Sequence, residues 1–363
     1  MKTTYKRIAL FYFLITGVSI VANANGDEYS KSVTKDFDAN SNTTLEVNNK
    51  YGAVEVENWD KPSIHIDVKI TVEHKNRDEA EKLLQMINIE FSKEDDLVKA
   101  VTKIDDKFGT SNIWFGNGNI DGKKFSIDYK ITLPKYLNVR LKNKYGNIMI
   151  NEIGGLTEID LKYGNINVNK LTRGDTKPLN TIIVGYGKAS FEECNWLKFS
   201  LSYSKASIQK CKALILVSKY SKANIDKASS LVIDSEYDDY KVGTLSNFVV
   251  SGKYSNYSIQ SLTKKLDAQV KYSGIQVQSI PSGFENITVK NSYGGIKLGI
   301  ESNASYNLDA YVKYAGIKYP ESSRLSKINE NNSITVKGDV GDGSPKATVI
   351  INSSYGGVDL RNK

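Results

Sequence analysis

Histidine occurs twice in 363 residues, at His65 and His74. A Ser-His-Asp or Cys-His nucleophile needs its serine or cysteine held against such a base. Nothing in the spacing brings one there. Zinc wants several nitrogen and sulfur ligands together, and two histidines on opposite strand parities do not supply them. Carboxylates are more plentiful. Asp234, Glu236, Asp238 and Asp239 crowd one stretch, and Asp339 and Asp342 share a glycine-rich loop. Oxygen ligands of this kind hold calcium. Neither group follows the EF-hand or the glycine-rich nonapeptide pattern, so solvated charge is the preferred reading. Two carboxylates flanking a groove at about 5–10 Å hydrolyse glycosides. Asp234 and Glu236, with Lys219 or Lys253, form the one cluster that could serve a polysaccharide lyase or hydrolase. Arginine is rare in the surrounding repeats and no long loops project from them to build a cleft. The expectation is a protein that is not an enzyme and needs no cofactor or metal.

Binding chemistry is better represented. Lys144, Lys162, Lys219, Lys253, Lys271 and Lys313 each directly precede a tyrosine. Such a column suits an anionic glycan or lipid head group, although a lysine-rich edge also keeps strands from aggregating. Trp114 and Phe115 lie in a Gly- and Asn-rich loop, where they could meet a sugar or fold back over the nearest repeat. Lys219, Lys253, Lys271, Trp114 and Phe115 are therefore the candidate ligand-binding residues. Cys194 and Cys211 occupy the same position in successive repeats. If repeats stack, they become neighbours, and either a disulfide or a buried pair of thiols follows.

The elements that would position these groups are set by tyrosine. It recurs at Tyr186, Tyr203, Tyr220, Tyr237 and Tyr254 in equal steps, with Tyr145, Tyr163, Tyr272, Tyr293 and Tyr314 on a looser beat and outlying copies at Tyr51 and Tyr355. A fixed period of this length marks a solenoid. With each tyrosine as position zero, apolar residues fall at −6, −4, +3, +5 and +8, as in Leu197, Phe199, Ala206, Ile208 and Cys211 around Tyr203. Two short half-buried strands separated by a corner give this pattern. The alternation puts the ladder (Tyr145, Tyr163, Tyr186, Tyr203, Tyr220, Tyr237, Tyr254 and Tyr272) on the buried side, with the bend just after it. The alternative is an exposed aromatic stripe for sugar rings. The step from one tyrosine to the next is too short for a strand-helix unit or a propeller blade. Polar Asn169, Glu192, Gln209 and Asp226 at +6 argue against a left-handed hexapeptide helix. The fold expected is all-β, a right-handed parallel β-helix (solenoid) with coils of about 17–21 residues, a length in the range of known repeat units.

Residues 1–24 read as a signal peptide: Lys2, Lys6 and Arg7, an apolar run, and a small-x-small site at Ala22-Asn23-Ala24. Residues 25–60 hold an N-terminal segment and a first coil. Residues 61–135 break the beat with an alternating strand, a short helix capped by Asn76, and further strands, an α+β insertion suited to capping an open stack. Residues 136–363 return to coils, with an irregular stretch near 320–345 and a last coil that completes the stack. Net charge is +8, but three of those charges lie in the leader. Spread over so long a chain, the remainder gives no case for nucleic acid. No later stretch is apolar for long enough to span a membrane as a helix.

The stretch from Asn49-Lys50-Tyr51-Gly52-Ala53-Val54 through Pro134, followed by Asn143-Lys144-Tyr145-Gly146-Asn147-Ile148, resembles the adhesin-like secreted β-solenoids of Bacteroidota. It is similar also to the related auto-transporter adhesin head (GIN) domain. The resemblance implies surface binding without an assigned ligand; the role expected is binding or scaffolding in the cell envelope, periplasmic or cell-surface, with a glycan or envelope protein as partner. It supplies no catalytic residues.

Overall fold

The computed structural model describes residues 16–22, 28–105, 119–120, 123–342 and 344–360. Strand accounts for 70% of the chain and helix for 3%, so the protein is all-β. Its strands join a single unclosed sheet. Among the described residues no helix is long and apolar enough to cross a membrane.

The regular part is a parallel stack. Lys188–Ser202, Lys205–Lys219, Lys222–Glu236, Asp239–Lys253 and Asn256–Lys271 lie on one another in order. In the first pair, Ala189 sits beside Ala206, Phe191 beside Ile208, Cys194 beside Cys211 and Leu197 beside Leu214. Register follows from alternation, because slipping one residue would turn every Ile, Leu and Phe outward. Positions −6, −4, +3, +5 and +8 are buried throughout these repeats. Truncating such a residue, Phe199 or Leu231 for instance, costs about 2–5 kcal/mol.

The tyrosines are the correction to the sequence reading. They stand at the bend itself, and all twelve, from Tyr51 to Tyr355, have left-handed backbone angles with φ between 50° and 67°. The parity slip therefore falls on the tyrosine and not after it. Residues at −2 and +1 turn inward, while the ring swings outside. From Tyr163 onward each ladder tyrosine is 41–52% exposed.

The corner explains the residue that follows. Each tyrosine N–H donates to a carbonyl of the adjacent repeat, as Tyr203 N does to Lys219 O at 3.1 Å, except that Tyr314 N donates to Asn332 O of the hairpin that follows it. The next N–H turns inward and would lack a partner. A serine or aspartate one repeat on supplies it: Gly187 N donates to Ser204 Oγ at 3.0 Å, Ser204 N to Ser221 Oγ at 3.2 Å, Ser221 N to Asp238 Oδ1 at 2.6 Å, and Asp238 N to Ser255 Oγ at 3.1 Å. A buried N–H left unpaired costs about 1–3 kcal/mol, so the serine rung is structural. Where glycine takes the position, the backbones close up. A Cβ on Gly146 would lie 1.8 Å from the carbonyl oxygen of Gly52.

Both ends depart from the simple stack. Before the regular repeats, Thr44–Lys50 and Val54–Asn58 pair in parallel with Asn138–Lys144 and Ile148–Ile153 on one side. On the other side they pair with Leu97–Ile104 and Lys123–Leu133. Antiparallel strands then extend the sheet: Ile87–Glu94 on Leu97–Ile104, and Ser63–Glu73, Glu28–Asp38 and Thr16–Ala22 beyond Lys123–Leu133. The helix Arg77–Gln85 starts at Asn76, whose side chain accepts from Glu79 N, and buries Ala80 and Leu84. At the far end the last repeat does not complete the stack, as the sequence order suggests. Ala347–Ser354 lies between Asn286–Ser292 and Tyr306–Lys313, parallel to both. Ser333–Val340 and Leu325–Glu330 follow Tyr306–Lys313 as antiparallel strands. The chain passes the end, returns through a hairpin, and slots its final strand one repeat back.

Candidate binding surface: the tyrosine column and its groove

The exposed rings form one column. Centroids of neighbours lie 4.6–5.3 Å apart and planes are within 19° of parallel, in the order Tyr51, Tyr145, Tyr163, Tyr186, Tyr203, Tyr220, Tyr237, Tyr254, Tyr272, Tyr293, Tyr355, Tyr314. Each stacked pair is worth roughly 0.5–1.5 kcal/mol beyond burial, which offsets the left-handed backbone at about 1–2 kcal/mol per residue. Stacking also decides what the column can offer. Along its length each face is covered by a neighbour, so a sugar ring cannot lie on it. Ring edges and hydroxyls are what remain.

Beside the column the strand before each tyrosine turns positions −3 and −1 outward. These two rows floor a groove of about 660 Å³ bordered by Asp234, Glu236, Lys253, Lys271, Lys290 and Asn352. A second depression of about 330 Å³, reaching back to Ile183 and Val217, shares Asp234 and Glu236 with it. The candidate lysines thus come together: Lys219 edges the second depression, and Lys253 and Lys271 the first. Lys219 is engaged, with Nζ 2.8 Å from Glu236, and this hydrogen bond raises its pKa. Lys271 Nζ lies 5.3 Å from the Tyr272 ring centroid and Lys144 Nζ 4.8 Å from that of Tyr145, within cation–π range.

The acidic run does not converge. Asp234 and Glu236 face the groove. Asp238 is buried in the serine rung, where desolvation raises its pKa against hydrogen bonds from Ser218, Ser221 and Tyr240 that lower it. Asp239 emerges beyond the corner, its pKa lowered by hydrogen bonds from Asn256 and Lys222, the latter 3.2 Å away. Asp339 accepts from Asn307 Nδ2 at 3.0 Å. Among the described residues no three His, Cys, Asp or Glu side chains gather to hold a metal. His65 is held between Asp36 and Asp67 at 2.7 and 2.9 Å; burial lowers its pKa, but the two hydrogen bonds outweigh it. His74 Nδ1 accepts from the backbone N–H of Asn76 at 3.2 Å. Cys194 and Cys211 are buried and free, Sγ to Sγ 2.7 Å. The hydrogen bond between them and their burial push the Cys194 thiol up. Trp114 and Phe115 lie outside the described residues.

The sequence reading passed over the −3 row: Ser251, Gln269, Lys290 and Asn352, neighbours across successive strands. Tyr240 and Tyr257 stand at the +3 position read as buried, and are buried; what the pattern did not show is that their hydroxyls meet Ser218 and Ser235. The −3 row was accessible as the outward member between buried −4 and −2.

No family model matches the chain, and no curated protein matches it. Solved structures do. A candidate cell adhesion protein from Clostridium sporogenes is 13% identical and covers 92% of this chain and 100% of its own, with a TM-score of 0.20. A candidate adhesin from Parabacteroides merdae is 13% identical over 76% of this chain and 97% of its own, TM-score 0.30. A candidate lipid-binding protein from Parabacteroides distasonis is 12% identical over 76% and 96%, TM-score 0.33. Superpositions this loose carry no functional argument.

Proposed function

We propose that the protein is an exported, non-enzymatic, adhesin-like β-solenoid that holds a linear glycan in the groove beside its tyrosine column, at the cell surface or in the periplasm. In this reading the stack is a right-handed parallel β-helix whose coils have the length of the tyrosine interval. Residues 1–24 are its export signal, whose removal takes the Thr16–Ala22 strand with it and leaves Glu28–Asp38 as the edge, and the α+β insertion at 61–135 caps one end. The carrying observation is the groove: two rows of hydroxyl, amide, ammonium and carboxylate groups on one sheet, repeated along one axis next to the tyrosine positions. A repeated row of polar groups suits a repeated ligand. The hydrolase alternative rests on Asp234 and Glu236, which share that groove. Glu236 is committed to Lys219, which disfavours it as a catalytic acid.

A glycan array probed with the full chain tests binding, and incubation with the bound glycans followed by assay of new reducing or unsaturated ends tests chemistry. The proposal expects retention without product. Product that disappears in Asp234→Ala or Glu236→Ala would make the enzyme reading win, and an array without signal would remove the glycan. Trp114→Ala/Phe115→Ala reports whether that loop contributes.

A further inference from the structure

At several places on the outer surface a lysine of one repeat meets a carboxylate of an adjacent one. Lys210 pairs with Glu193 at 3.0 Å, Lys222 with Asp239 at 3.2 Å, Lys219 with Glu236 at 2.8 Å, and Lys265 with Glu285 at 2.9 Å. Lysines also neighbour one another, as Lys50, Lys144 and Lys162 do and as Lys188 and Lys205 do, and past Glu236 the larger groove gathers more of them. Lys253 and Lys271 are direct neighbours on adjacent strands, and Lys290 follows Gln269 in the parallel row. Among the described residues none of the three has a carboxylate within ion-pair distance. Like charges opposite one another on paired strands oppose folding. Here they are gathered along one wall of the groove.

Asn291 sits between Lys290 and Ser292 but, at −2, turns inward: it is only 4% exposed and its Nδ2 donates to Gly294 O. Three cations without an anion, on a wall of hydroxyl and amide groups, call for a ligand carrying both hydroxyl and acidic groups. Ser251, Gln269, Ser292, Asn352 and Ser354 add groups that can donate or accept. The phenol column gives edges and no open faces, so charge and hydrogen bonding, not ring stacking, would hold the ligand. On the adjacent strand Glu236 lies directly across from Lys253 but is held by Lys219, and Asp234 beside it repels an anion, which keeps the acidic segment over Lys253, Lys271 and Lys290.

The geometry points to an acidic polysaccharide, one whose sugars carry carboxylate or sulfate, as the ligand of this groove. Lysine ammoniums are rotatable point charges and suit either group. The inference rests on the glycan reading above and narrows it.

The test is binding of the full chain to polygalacturonate, dextran sulfate, neutral dextran and phosphatidylserine vesicles, at low and physiological salt. It compares Lys253→Gln/Lys271→Gln/Lys290→Gln with Lys188→Gln/Lys205→Gln/Lys241→Gln, which removes the same charge beyond the tyrosine column. The groove variant should weaken acidic polysaccharide roughly ten-fold or more, the control variant about two-fold at most, with neutral dextran unbound and affinity falling with salt. Which of the two polyanions binds tells carboxylate from sulfate. Equal weakening by both variants would mean net charge alone and overturn the inference, as would lysine-dependent binding to vesicles without polysaccharide. Neutral glycan bound indifferently to the lysines overturns it but leaves the glycan reading standing. No glycan of either kind bound, with native circular dichroism, ends both.

Discussion

Tyr237 and Tyr254 lie ring over ring, centroids 4.8 Å apart and planes 3° from parallel, although both hold backbone angles that a side chain normally disfavours. The sharp turn and the stack are coupled: the left-handed residue throws its ring outward, and the adjacent repeat does the same one strand spacing away. The column is thus a consequence of the corner, and its stacking energy maintains the corner.

That coupling inverts a common order of substitutions. Tyr237→Ala loses two ring contacts, roughly 1–3 kcal/mol at the usual worth of a stacked pair, and leaves a Cβ in the left-handed region. Tyr237→Gly loses the same contacts but relieves the backbone. Urea unfolding should show the glycine variant at least as stable as the alanine variant.

Asp238 fixes a pH dependence. Burial raises its carboxyl pKa above the ordinary 3.8, so the folded protein binds a proton that the unfolded chain has released. Stability from this group is therefore greatest below the unfolded pKa and is lost as pH rises through the folded one. Asp238→Asn keeps an acceptor for Ser221 N and removes the buried charge. It should flatten this part of the profile and leave neutral-pH stability equal or up to about 1 kcal/mol higher. Asp238→Ala strips the acceptor and should cost about 1–3 kcal/mol. Urea midpoints across the acid range check both.

Cys194 and Cys211, buried with a thiol pushed up in pKa, should resist alkylation in the native protein. Iodoacetamide after denaturation without reductant should then label both. Label appearing only after reduction would show that the pair had been oxidised.

The intercalated final strand makes the end of the stack one cooperative unit. Removing residues 345–363 exposes the inner edges of Asn286–Ser292 and Tyr306–Lys313 together. Limited proteolysis should then cut throughout residues 281–340 while the repeats from Tyr186 to Tyr272 stay protected. If the chain simply ended in stack order, only the last repeat would be lost.

The buried rows were legible because Ile, Leu, Val and Phe recur at fixed offsets, and the helix after Asn76 because its capping residue precedes a one-faced apolar pattern. The outward turn of the ladder was not. A large aromatic in an alternating run ordinarily belongs inside, and a left-handed backbone leaves no mark in composition unless glycine or asparagine carries it. The threading of Ala347–Ser354 was hidden for another reason: repeats that look alike fit the stack equally well at either of two places. Groove residues such as Gln269 and Lys290 became meaningful only when strands of successive coils were seen side by side.

The account turns on the rings standing outside the sheet, and chemical nitration of the native protein read by peptide mass spectrometry asks this directly. Tyr186, Tyr203, Tyr220, Tyr237 and Tyr254 should be modified while Tyr240, Tyr257 and Tyr306 remain protected. Protection of the ladder with modification of Tyr240 and Tyr257 would contradict it.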